Sequence, residues 1–271
     1  MHESIVERLM YKVVKRHIAG TTISSAIETA KALNSRGVPV SISFLSSSVD
    51  KLPKARYAAY TYTELLHRIA RFGLKASVHM PLEEIGYLIS KESSLSYLRN
   101  IVQLGNRLGI FIWAELPGGA PMPRAIEAKG LGYAIGINED IDALPDKRML
   151  KLIFPPNGSV SSKEDKSMSE AHERELAIVR KALSRAGSVV LHAPPDKLVG
   201  MLMKNKAYKN SLIFEFQLGY ERKRLAAVKN KGWNVSMYVP FGKGWVDYAV
   251  KRIQGHYTHI IASKLLDGKK G

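Results

Sequence analysis

SLIFEFQLGYERKRLAAVKNKGWNVSMYVP, residues 211–240, decides the fold. It opens with SLIFEFQ (211–217), a short apolar run of strand type. ERKRLAAVKNKG (221–232) follows, polar and helical in its spacing. Gly232 stands where a helix ends on a left-handed residue, and WNVSMYVP (233–240) is the next apolar run. Two strands joined by a helix run parallel, because a parallel pair needs a long crossover.

The unit recurs toward the N-terminus. VPVSISFL (38–45), LKASVHM (74–80), IFIWAEL (110–116), LGYAIGI (131–137), MLKLIF (149–154) and SVVLHA (188–193) bring the strand count to eight. The helical segments between them include YAAYTYTELLHRIARFG, with apolar Leu65, Leu66, Ile69 and Phe72, then SLSYLRNIVQLGNRLG and HERELAIVRKALSRAG. Gly73, Gly109 and Gly187 occupy the same capping position as Gly232. Eight such units in 271 residues predict a single (β/α)8 TIM-type barrel of the α/β class. Two helical segments, near 3–19 and 22–36, come first. The expected division is 1–37 as N-terminal helices packing on the barrel and 38–271 as the barrel. The connection 138–148 is short for a full helix. PPNGSVSSKEDKS (155–167) reads as a loop at the C-terminal rim, suited to a lid.

Composition narrows the function classes. With 45% hydrophobic and 24% charged residues the chain is globular. No cysteine means no disulfide, thiolate metal site or thiol nucleophile. MHESIVERLM does not read as a signal peptide, and no apolar run reaches the roughly 20 residues that span a bilayer. A cytoplasmic protein is expected, able to lie peripherally on the inner face of the membrane. The formal net charge is +17, from 41 Lys and Arg against 24 Asp and Glu. Residues 201–271 hold 14 of those cations and 4 of those acids. Such a surface attracts anions: nucleic acid, anionic lipid or phosphorylated ligands.

In a barrel of this kind, chemistry sits at the C-terminal ends of the strands. There the sequence places His79, Glu115, Lys151, His192, Gln217 and Tyr238. Burying an unpaired polar group costs about 1–3 kcal/mol, so six of them at one mouth favour a ligand site. Gly-rich dinucleotide and P-loop motifs are absent. His256 and His259 form an HxxH with no acid nearby, and no metal site is expected. Glu83 and Glu84 read as a helix N-terminal charge pair, and Trp113 and Trp233 as core residues. GWVDYAVKRIQG (244–255), the expected last barrel helix, carries Lys251 and Arg252, which can bracket a carboxylate.

IFEFQLG (213–219) and YVPFGKGWVDYAVKRI (238–253) resemble the ending of the flavin-dependent proline dehydrogenases. That ending is a Glu-Phe-Gln strand, a Tyr-x-Pro-x-Gly turn and a helix with an Arg-Arg pair. LHAP (191–194) is similar to the family's Thr-His-Asp/Asn, and WAEL (113–116) to its Asp-x-Glu. The resemblance implies a (β/α)8 barrel binding FAD at its mouth. It implies that Tyr238, Lys251 and Arg252 bind substrate and that Lys151, His192 and Gln217 contact the cofactor. His79 and Lys151 would be the catalytic positions, and a quinone or similar acceptor would take the electrons. This chain also departs from the pattern. His79 replaces a lysine, Trp113 an aspartate and Lys151 an arginine; the lysine and tyrosine after that arginine are missing. Two expectations follow. One is an FAD enzyme oxidising proline or a related cyclic amino acid. The other is a barrel that has lost catalysis and binds nucleic acid through its basic surface.

Overall fold

The computed structural model describes residues 15–117, 129–144, 149–155, 168–219 and 222–248. Eight parallel strands close into a barrel in chain order: β1 (Val40–Phe44), β2 (Ala76–Pro81), β3 (Ile112–Glu115), β4 (Leu131–Gly136), β5 (Leu150–Ile153), β6 (Val189–His192), β7 (Leu212–Gln217) and β8 (Asn234–Phe241). Each falls on an expected apolar run. The described helices are α1 (Ile23–Asn34), α2 (Leu52–Arg71), α3 (Lys91–Leu108), α4 (Met168–Arg185), α5 (Asp196–Met203) and α6 (Arg222–Asn230).

Side chains alternate along a strand, and this alternation builds both the core and the site. Val40, Ile42 and Phe44 of β1, or Leu212, Phe214 and Phe216 of β7, face outward and are buried under the helices. α2 covers the β1 set with Ala55, Ala58, Tyr62, Leu65, Leu66 and Ile69. A fully buried leucine such as Leu65 stabilises by about 1.5–3 kcal/mol. The opposite set faces the barrel axis. It is largely polar, where a barrel of this type usually stacks branched apolar side chains.

α1 starts from Thr22, whose hydroxyl accepts from Ser25 N at 3.2 Å in a capping box. It packs on β8 and β1, completing the outer ring of helices. Most of the earlier expected segment, 3–19, lies outside the described residues. The 138–148 connection contains only a 3-10 turn, Ile141–Ala143, among its described residues. Gly73, Gly109 and Gly232 adopt the expected left-handed conformation, with φ of 58°, 70° and 76°. Gly187 does not, because Ala186 N already bonds Ala182 O and the chain passes straight into β6. Most of the expected lid, residues 156–167, lies outside the described residues.

The mouth is tied at the β1 exit. Glu84 accepts from Ser46 N at 2.9 Å and also from the Ser46 hydroxyl. Glu83 and Glu84 therefore do not sit at an α-helix N-terminus; they belong to a four-residue 3-10 turn, Leu82–Ile85, braced against β1. After β8 the chain folds over this rim. A Cβ on Gly244 would lie 1.8 Å from Ser46 O, so only glycine permits the crossing. Residues 245–248 then turn helical, with Trp245 packed on Ile18 and Leu45.

Candidate active site

A cavity of about 750 Å³ opens at the C-terminal ends of the strands. His79, Glu115, His192 and Tyr238 line its floor; Glu83, Glu84, Asp247 and Tyr248 are among its rim residues. The six side chains placed there by the sequence all lie on the axial face. Lys251 and Arg252 lie outside the described residues, on the chain that continues from the mouth at Tyr248.

One hydrogen-bonded network joins five of the six. Lys151, fully buried, donates to Ser41 Oγ at 3.0 Å, to His79 Nδ1 at 3.4 Å and to both Glu215 oxygens at 3.0 Å. An ammonium has three protons and no acceptor, so each proton is engaged. His79 Nδ1 must then be an acceptor, which puts the ring proton on Nε2. That nitrogen donates to Glu115 Oε2 at 2.7 Å. On the other side His192 Nδ1 donates to Glu215 Oε2 at 2.7 Å, and Gln217 Nε2 donates to His192 Nε2 at 3.2 Å. The order is Glu115, His79, Lys151, Glu215, His192, Gln217. Tyr238 stands edge-on to both imidazoles, its ring centre 5.5 Å from His79 and 4.7 Å from His192.

The electrostatics follow from this geometry. Burial pushes the Glu215 carboxyl up, but the Lys151 ammonium and the His192 hydrogen bond outweigh it and bring it to about 2. Burial also pulls Lys151 below its ordinary value, opposed by Glu215 and Glu115. Glu115 reaches the cavity. Burial raises its carboxyl, yet the His79 hydrogen bond and nearby positive charge leave it below the ordinary value. The mouth thus presents a carboxylate hydrogen-bonded by the His79 imidazole, above a buried ion pair.

Glu215 is the residue the sequence reading missed. It lies two positions before Gln217, so strand alternation alone places both on the axis. Trp113 is buried as expected, but on the axial face, with Lys151 Nζ 4.9 Å from its ring centre. The buried cation on the axis is Lys151 of β5, and His79 stands where the resemblance has a lysine on β2. Trp233, just before β8, is buried against Phe214. Among the described residues no cluster of His, Asp and Glu could hold a metal ion.

The set of side chains suits the ring system of a flavin. The cavity falls within the roughly 300–1,000 Å³ of small-molecule sites, with two imidazoles, a carboxylate and a phenol converging on it. No family model matches the chain. It is 24% identical over 260 residues to proline dehydrogenase 1 of Bacillus subtilis (strain 168), covering 88% of this chain and 85% of that protein. Proline dehydrogenase of Deinococcus radiodurans is 22% identical over 275 residues, 93% of this chain and 88% of its own. Among solved structures, proline utilization A of Bdellovibrio bacteriovorus inactivated by N-propargylglycine superposes with a TM-score of 0.75 at 13% identity. The match covers 94% of this chain and 34% of that one, so this chain spans about a third of the length of that structure. Among the described residues no helix is long and apolar enough to cross a membrane.

Proposed function

Taking the chain as a divergent relative of the proline dehydrogenases, we propose that it is a flavin-dependent oxidoreductase acting on L-proline or a related cyclic amino acid. The observation that carries this reading is the polar set at the mouth, kept on the axial face despite the replaced residues. His192 and Gln217 would hold the ring system of FAD, with the Lys151–Glu215 pair setting the field beneath it. FAD, when bound, accepts the hydride; the protein supplies position and charge.

The substrate carboxylate is assigned to Lys251 and Arg252. The arginine can grip it with two parallel bonds, and the lysine acts as a point charge. Glu115, kept anionic by His79, faces the substrate's ammonium. Its lowered pKa makes it an anchor for that charge more than a base, so the proton leaves to solvent at the mouth. Tyr238 covers the ring of the substrate and excludes water. A quinone-type acceptor would take the electrons, and a basic protein could meet it at an anionic membrane. The alternative, a barrel that only binds nucleic acid, leaves the mouth's polar network without a role.

The test is spectroscopic. Purified protein is incubated with FAD, freed of excess, and titrated anaerobically with L-proline. A retained flavin band that proline bleaches supports the proposal; a colourless protein that cannot be loaded overturns it.

A further inference from the structure

The mouth leaves most of the positive charge unused, and the structure puts much of it at the other end of the barrel. The described segments that lead from helices into β1, β2, β3, β6, β7 and β8 contain no Asp or Glu. They carry Arg36, Lys75, Lys209 and Lys231, with Arg71 and Lys229 in the helical turns just before. Asp142, which reaches this end, is already paired with Lys181 and Arg185. Helix C-termini favour cations, but that preference does not require these described segments to be so nearly free of acids.

In the middle of this face the barrel is hollow. A chamber of about 530 Å³ runs up to Glu215. It exists because the strands supply little bulk there: Ser77 on β2 and Ser236 on β8. Ser77, Phe111 and Ser236 remain partly exposed, where a regular barrel is packed solid. Phe111, Trp113 and Trp233 line the chamber, and so do Lys75 and Lys229. Ser77 Oγ accepts from Trp113 Nε1 at 3.3 Å, and its own proton points to no described acceptor. Lys151, Glu215 and His192 form the floor that separates chamber from mouth.

We propose that this basal chamber is a second ligand site, for an organic anion with a flat apolar body such as an aromatic carboxylate. The apolar body packs against Trp113, Phe111 and Trp233, and the carboxylate stays at the opening on Lys75 and Lys229. A cation is excluded by the surrounding charge. A bare inorganic anion would leave the aromatic walls wet, and a neutral apolar molecule would make no use of the charge on Lys75 and Lys229. The surrounding cations raise the local concentration of the anion at the entrance.

Two of the three tryptophans line the chamber, so intrinsic fluorescence reports its occupancy. The full chain is titrated with 3-phenylpropionate, with 3-phenylpropan-1-ol and with acetate. The proposal expects saturable quenching by 3-phenylpropionate at millimolar concentration or below, with the alcohol and acetate at least about tenfold weaker. Lys75→Gln/Lys229→Gln weakens 3-phenylpropionate by about tenfold or more, and Lys75→Gln alone, at an exposed side chain, by a smaller factor. Circular dichroism confirms that both variants fold. No saturable signal up to about 20 mM overturns the site. So does equal binding of the three compounds, or binding that both variants leave unchanged, which would place the carboxylate elsewhere, the mouth included.

Discussion

Replacing Lys151 by methionine keeps the length of the side chain and removes its charge. The Glu215 carboxylate then stays buried, 1% exposed, with only His192 and Ser236 to answer it. Removing one partner of a buried ion pair costs about 3–5 kcal/mol. The fall of the carboxyl from 4.5 to about 2 corresponds to roughly 3 kcal/mol at about 1.4 kcal/mol per pH unit, the net of burial against Lys151 and the two histidines together. The sign is fixed as well: a carboxyl depressed in the folded state stabilises fully above its unfolded value and loses that contribution as pH falls toward 2. The measurement is urea unfolding at neutral pH of the native chain, Lys151→Met, Glu215→Gln and the double variant. Glutamine retains a carbonyl for His192, so the cycle isolates the pair. Each single variant should lose about 3 kcal/mol or more, and the double variant should recover at least about 2 kcal/mol relative to additivity. Additive losses, or a Lys151→Met cost below about 1 kcal/mol, would refute the ion pair as the organising contact.

Other consequences are quicker to check. Ala193, just after His192, has φ of 55°, in the left-handed region; Ala193→Gly should stabilise the fold by about 1 kcal/mol, read as a higher midpoint in urea. Gly244→Ala should open the rim, because its Cβ would meet Ser46 O at 1.8 Å. It should lower thermal stability and weaken FAD loading together. Glu115→Gln should leave the midpoint within about 1 kcal/mol, since an amide oxygen still accepts from His79; in the proposed enzyme it raises the proline concentration needed for half-maximal bleaching. Gly132→Val should destabilise by about 1–3 kcal/mol, since a Cβ there already comes within 2.7 Å of the Trp113 ring.

Much of this was legible from strand periodicity. The eight apolar runs fixed the barrel, and their final polar residues are the ones that meet at the mouth. Strand alternation also marks Glu215, since SLIFEFQ carries Glu and Gln two apart on one face. What a single strand cannot show is where a long side chain ends. Lys151 is the second residue of β5, and its four-carbon stem carries the ammonium across the barrel to Glu215 on β7. The basal chamber was hidden for the opposite reason. It is made by small residues on β2 and β8 that border a void only once the barrel closes. The basic composition was visible as a total, but its separation from the mouth depends on which helix ends face which way.

The central claim is that the mouth oxidises a cyclic amino acid. Its most direct test is the product formed from L-proline by the FAD-loaded protein with an artificial electron acceptor, identified by mass. The account predicts a product lighter than proline by two hydrogen atoms, formed by the native chain and lost in His192→Ala. Unchanged proline with a fully loaded flavin would contradict it.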